Sequence, residues 1–387
     1  MVREPDVPAG QNRPGAVRPG FWTRSWPDDP LLWPFAATGA AMNACLWWMD
    51  RETYPPTQRD GSNLAWTTPN RIALELATLR LRDFSRGAAG FPALICAPYA
   101  LHRALMTDFA AGHSIVAALQ RGGVDSLFLT DWRSASPDMR FLSIDNYLAD
   151  LNVAIDEIGP PLDLIGLCQG GWMSLLYAAR FPEKVRRLVL VGAPVDISVE
   201  SELSQTVAQA ATGAFEGLVT SGGGLARGAD LLRLWRANPD IETVLQRSLS
   251  AADADAQALR ERFACWHTET LDLPGVFYLE AVEKIFKENR LAKGTFVALG
   301  REVQLSRLTT PVFLLAGSND EIVPQAQAMA TASLLGTPPA LIAREIASST
   351  HLGLFIGATT LSVAWPRIAK WLSREEPARI ATQAASG

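Results

Sequence analysis

From Ile72 onward, short apolar runs alternate with longer stretches whose hydrophobic positions recur at helical spacing. Arg71 to Phe84 alternates as an early strand, and Ala93 to Ala97 is a short apolar run stopped by Pro98, as suits a buried strand. Phe109 to Arg121 reads as a helix ended by Gly122-Gly123, and Val124 to Thr130 as the strand after it. Ser143 to Ile158 is amphipathic, with Ser143 as its cap and Pro160-Pro161 beyond its end. Leu162 to Leu167 predicts a strand, Gln169 to Phe181 a helix and Val185 to Val191 a strand. This rhythm specifies an α/β fold, a mostly parallel sheet with helices on both faces.

The rhythm stops at residue 196. Residues 196–299 read as helical, with a glycine break at Gly222-Gly223-Gly224 where the segment can flex. Alternation resumes at Pro311 to Ala316 and continues through Gln325 to Leu335, Leu341 to Ile346 and Leu361 to Leu372. The expected organisation is therefore one catalytic domain, residues 69–195 and 300–375, interrupted by a helical cap at 196–299. Residues 1–68 form a Trp-rich extension, partly flexible, and 376–387 a flexible tail.

Composition narrows the classes. With 48% hydrophobic and 19% charged residues the 387-residue chain is globular, and a net charge of −5 without a basic run argues against nucleic acid as a partner. The four cysteines are scattered, with neither metal-ligand spacing nor a disulfide framework, so no metal and a reducing, cytoplasmic setting are expected. No signal peptide is indicated. Ala36 to Met49, about 14 residues, falls short of a membrane span. Five of the twelve tryptophans lie in the first fifty residues; packing onto the body or contact with a hydrophobic partner would each account for them.

The candidate chemistry lies at Gly166-Leu167-Cys168-Gln169-Gly170, between a predicted strand and a predicted helix. This is the glycine-flanked nucleophile elbow of the α/β-hydrolase fold, with Cys where Ser is usual. Gly166 and Gly170 are the small residues that so tight a turn demands. The helix N-terminus favours a thiolate, and the Gln169 amide is placed to face an oxyanion. The acid and the base follow the nucleophile in chain order. Asp320, in a loop past the strand ending at Ala316, is the candidate acid, with Asn319 and Glu321 as neighbouring alternatives. His351 is the candidate base, since His102 and His113 precede the elbow and His267 falls in the insertion. A second oxyanion amide is expected after Ala97, from Tyr99 or Ala100.

With these residues placed, the chain resembles the catalytic subunits of polyhydroxyalkanoate synthases, especially the short class III type. The resemblance rests on the stretch from Gly166 to Val185 and on Ala193-Pro194-Val195-Asp196. Thr130-Asp131-Trp132, Leu142 to Tyr147, Asn289 to Gly294 and Pro311 to Pro324 add to it. It implies Cys168 as acyl carrier, His351 as general base and Asp320 as its acidic partner. It also implies a 3-hydroxyacyl-CoA substrate, a hydrophobic polyester product, no cofactor and a second subunit as partner, with attachment to polymer granules; the tryptophan cluster makes a homodimer the other expected partner. His351 to Gly357 is similar to intracellular polyhydroxyalkanoate depolymerases as well, so a depolymerase or a thioesterase on the same residues stays open. So does a non-catalytic granule-associated protein.

Overall fold

Eight strands form one sheet whose interior is built from apolar runs the sequence marks most clearly. The computed structural model of the chain describes residues 64–88, 90–199, 201–236 and 255–374. The tryptophan cluster, the Ala36 to Met49 segment and the tail at 376–387 lie outside the described residues. In the numbering used here the sheet strands are β1 (Arg71–Glu75), β2 (Leu79–Asp83), β3 (Ala93–Cys96), β4 (Leu127–Trp132), β5 (Leu162–Leu167), β6 (Val185–Val191), β7 (Val312–Gly317) and β8 (Ile342–Ala347). Their spatial order is β1-β2-β4-β3-β5-β6-β7-β8. The pairs β1/β2 and β2/β4 are antiparallel, and every pairing from β4 to β8 is parallel. Strands β3, β5 and β7 are buried at every residue, as expected of parallel strands covered on both faces.

Five helices cover this sheet: α1 (Ile115–Arg121), α2 (Ile144–Ile158), α3 (Gln169–Arg180), α4 (Gln325–Leu334) and α5 (Ala358–Leu372). Local chemistry starts and stops them. The Ser114 hydroxyl accepts the Ala117 N–H at 2.9 Å to open α1, and Gly122 closes it. Ser143 and Asn146 form a reciprocal cap on α2, with the Ser143 N–H donating to Asn146 Oδ1 at 2.8 Å. The guanidinium of Arg187 on β6 donates to the carbonyls of Trp371, Leu372 and Arg374, which fastens the end of α5 to the sheet.

Three expectations need correction. Arg71 to Phe84 is not one strand but the hairpin β1-β2, closed by the Leu76 N–H on the Leu79 carbonyl at 2.8 Å. Phe109 to Arg121 is helical only from Ile115. The buried Asp108 carboxylate takes the Thr68 N–H at 2.7 Å, the Thr68 hydroxyl at 2.9 Å and the Ser114 hydroxyl at 2.6 Å, which holds Asp108–Ala110 extended instead. The strand expected at Val124 to Thr130 begins three residues later, because Gly123 and Val124 still turn out of α1 onto the Gln120 and Leu119 carbonyls.

The described residues of 196–299 are mainly helical. Its described elements include helices at Glu202–Gln209, Thr212–Ser221, Gly228–Arg236, Asp255–Thr268 and Gly275–Glu280, and a hairpin of Phe296–Ala298 with Arg301–Val303 straddles its expected end. The glycine run at 222–224 is a packed turn: a Cβ on Gly222 would stand 1.9 Å from the Leu225 carbonyl oxygen, and one on Gly224 would stand 2.8 Å from the Arg140 side chain. Close packing accounts for Gly222 and Gly224, and a positive φ for Gly223 (+70°) and Gly224 (+93°). Residues 270–277 cross the sheet's loops as a strap. Leu271 N–H donates to Leu101 O, Asp272 N–H to Ser134 Oγ, Ala135 N–H to Asp272 O and Phe277 N–H to Leu142 O. The two roots of the insertion are joined where Asn289 Nδ2 donates to Asp196 Oδ1 at 2.8 Å.

Candidate active site

The sheet reverses its winding direction at β3, whose neighbours are β4 on one side and β5 on the other. In open α/β sheets the crevice at such a point, beyond the strands' carboxyl ends, is where ligands bind. Cys168 sits there, between the last residue of β5 and the first of α3. Its backbone is at φ 48°, ψ −117°, a region that L-residues rarely occupy. The turn is held by the Cys168 N–H on the Val191 carbonyl at 2.9 Å and the Gly171 N–H on the Cys168 carbonyl at 2.8 Å.

The elbow glycines are dictated by space. A Cβ on Gly166 would stand 2.6 Å from the Gly171 Cα, and one on Gly170 would stand 2.2 Å from the Cys96 carbonyl oxygen. A Cβ on Gly171 would lie 2.4 Å from that of Ala193, so three glycines and an alanine shape the turn. Gln169 opens α3, where the first N–H groups have no partner within the helix and the dipole is positive.

His351 and Asp320 are brought together from loops beyond β8 and β7. His351 Nδ1 lies 2.8 Å from Asp320 Oδ2, with both side chains buried. Asp320 is itself oriented, because its Oδ1 accepts the N–H groups of Ile322 at 3.0 Å and Val323 at 2.8 Å. Burial alone would drive the proton from the His351 ring. The Asp320 carboxylate and the Cys168 sulfur outweigh it, through charge and hydrogen bonding, and hold the ring's proton affinity well above the ordinary histidine range. Of the two neighbouring alternatives, Asn319 is tied to the His351 loop through its backbone, its N–H donating to the Ser349 carbonyl at 3.0 Å. Glu321 Oε2 meets the backbone N–H of His351 at 3.5 Å. Cys168, His351 and Asp320 thus form a chain of thiol, imidazole and carboxylate with the connectivity of an acyl-transfer triad.

Residues 90–218 match the family described as alpha/beta hydrolase fold, and residues 238–376 match the one described as PHB de-polymerase C-terminus. The poly(3-hydroxyalkanoate) polymerase subunit PhaC of Synechocystis sp. is 29% identical over 293 residues, covering 72% of this chain and 77% of the relative. That of Haloferax mediterranei is 26% identical over 79% of this chain and 64% of the relative; that of Allochromatium vinosum is 26% identical over 71% and 79%. The chain is related to the poly(3-hydroxyalkanoate) polymerase subunits. Its α/β-hydrolase fold is shared with the monoacylglycerol lipase of Paleococcus ferrophilus, at a TM-score of 0.53 and 17% identity over 76% of this chain and 98% of the lipase.

The stretches that carry the resemblance to polymerase subunits build the surroundings of the site. The Thr130 hydroxyl accepts the Ala97 N–H at 3.0 Å and the Trp132 indole donates to the Ala97 carbonyl at 2.8 Å, so β4 fixes the loop leaving β3. Two residues on, Tyr99 is fully buried; its ring stacks on Tyr147 at 4.7 Å, and its hydroxyl bonds those of Tyr147 at 2.9 Å and the Asp272 carbonyl at 3.1 Å. Its side chain is therefore part of the wall between core and cap, and only its backbone remains a candidate oxyanion donor. His102 stacks on Trp266 at 4.4 Å, and His113 Nδ1 lies 2.6 Å from the Ile356 carbonyl, which gives both structural neighbours. His267 faces His102 at 4.9 Å, within the same stack.

Sequence reasoning missed Gly192. At φ +53° it lies under the imidazole, where a Cβ would stand 3.2 Å from His351 Cε1. A glycine directly after the apolar run Leu188 to Val191 was the available signal. The roles of Thr130, Trp132 and Glu321 had no signal of their own, since each acts on a residue distant in sequence. Among the described residues no group of His, Cys, Asp and Glu is arranged to hold a metal, and no helix is long and apolar enough to cross a membrane.

Proposed function

We propose that the chain is an acyltransferase of the polyhydroxyalkanoate synthase type, moving 3-hydroxyacyl groups from a CoA thioester to Cys168 and on to the hydroxyl end of a polyester. The observation that carries this reading is a cysteine, not a serine, at the elbow facing His351 and Asp320 in a relative of poly(3-hydroxyalkanoate) polymerases. His351 takes the Cys168 proton and the thiolate attacks the thioester carbonyl. The oxyanion rests against backbone amides, with Gln169 and Tyr99 as donors. The carbon–sulfur bond to CoA breaks, and the CoA thiolate leaves with the proton from His351. The hydroxyl of a chain end next gives its proton to His351 and attacks the acyl-Cys. An ester forms, and the Cys168 thiol is restored.

Sulfur favours this direction. Transfer between two thioesters nearly conserves the driving force, whereas a depolymerase with a cysteine nucleophile must first convert a stable ester into a thioester. The cap then keeps water from the acyl-enzyme. A hydrolase on the same residues is the second reading, favoured by the match of residues 238–376 to the depolymerase C-terminus.

Purified protein supplied with 3-hydroxybutyryl-CoA separates them. Release of CoA with accumulation of a sedimentable, chloroform-soluble polyester is the expected result. Free 3-hydroxybutyrate as the sole product would sink the synthase reading and leave the hydrolase.

A further inference from the structure

The loop that carries Asp320 brings a second carboxyl to His351. Glu321 follows Asp320 directly, and its Oε2 meets the His351 backbone N–H at 3.5 Å. Its other oxygen, Oε1, is buried and has no hydrogen-bond partner among the described residues. Such an acceptor is destabilising unless its charge is used elsewhere. The charged and titratable groups that face it are the His351 ring and the Asp320 carboxylate, and the same ring is acted on by Cys168.

We propose that Glu321 is a second acidic positioning residue for His351: Asp320 binds the ring, Glu321 sits at its backbone, and together they stabilise the imidazolium that forms when Cys168 gives up its proton. This rests on the assignment of Cys168 and His351 as an acid–base pair, and adds a pH-dependent element to it. Burial raises the Glu321 proton affinity above the ordinary carboxyl range, and its backbone contacts and the His351 charge only partly oppose that. A group so shifted is charged above its raised pKa and neutral below it. Acidification therefore removes one of the two charges that favour the imidazolium, and the thiolate becomes harder to form.

The test is alkylation of Cys168 by iodoacetamide as a function of pH, in the full-length, substrate-free protein, read from the mass of the elbow peptide. In Glu321→Gln the midpoint for thiolate formation rises by about 1 pH unit while the thermal midpoint stays at the wild-type value. Glu321→Asp, which keeps the charge on a shorter arm, falls between the two. If Glu321→Gln does not fold, Glu321→Asp alone carries the comparison. Wild-type midpoints in the folded variants would overturn the proposal and leave Glu321 a backbone tether. Alkylation needs no acyl substrate, so this outcome is independent of which product the chain makes.

Discussion

Cys96 and Cys168 stand at the carboxyl ends of neighbouring strands, in the same sheet and at nearly the same height, since Cys96 is in register with Gly166. They differ in almost everything that governs a thiol. Cys96 is the last residue of β3, wholly buried, and burial pushes its thiol up to about 12. Cys168 has left its strand by one residue, at positive φ, half-buried, beside an imidazole that carries its own carboxylate. Under the proposed function, reactivity is a property of the turn and its neighbours, and the residue type contributes only the sulfur.

That contrast can be broken from either side. Cys168→Ala lowers CoA release from 3-hydroxybutyryl-CoA by at least about 10⁴-fold, because the covalent route is gone. Equal release in wild type and variant would remove Cys168 from the chemistry and support a non-catalytic, granule-associated protein. Gly170→Ala attacks the contact between the two strand ends. Its new methyl would lie 2.2 Å from the Cys96 carbonyl oxygen and 2.7 Å from that of Ala97. The overpacked turn lowers the unfolding free energy by about 2–3 kcal/mol, read as a shift in the urea midpoint at constant slope. Cys96→Ala has the smallest effect: about 1 kcal/mol of stability and no change in turnover. Loss of turnover there, in folded protein, would mean that the two sulfurs are not as separate as their surroundings indicate.

How much of this was legible depended on where the determining contact lay. Strands β5 and β6 were placed to the residue, because apolar residues dominate each between breakers, with only Asp163 in β5 and Arg186-Arg187 in β6 interrupting. The elbow and its partners were legible for a related reason: glycine spacing and chain order are linear properties, and Cys168, Asp320 and His351 could be lined up before their contacts were known. The β1-β2 hairpin was not, since its turn at Leu76 to Thr78 holds neither glycine nor proline and both arms alternate alike. The extended start of the Phe109 region was hidden because Thr68, 40 residues away, supplies two of the hydrogen bonds to Asp108 that hold it. Glu321 could be named from the sequence as an alternative to Asp320, but the peptide N–H it meets is 30 residues further on.

Asp196 and Asn289 are 93 positions apart in the chain and joined at 2.8 Å. For the sheet, the chain between them is a loop whose mouth is already shut. Doubling the length of a flexible closed loop costs only about 0.6 kcal/mol in entropy. A lineage can therefore lengthen, shorten or rewrite much of that stretch without disturbing the strands of the sheet. Evolution is less free with residues 270–277, whose peptide groups are already committed to loops of the sheet. Descendants that diverge in the substrates they admit should keep this strap and the bridged mouth, and differ in what lies between.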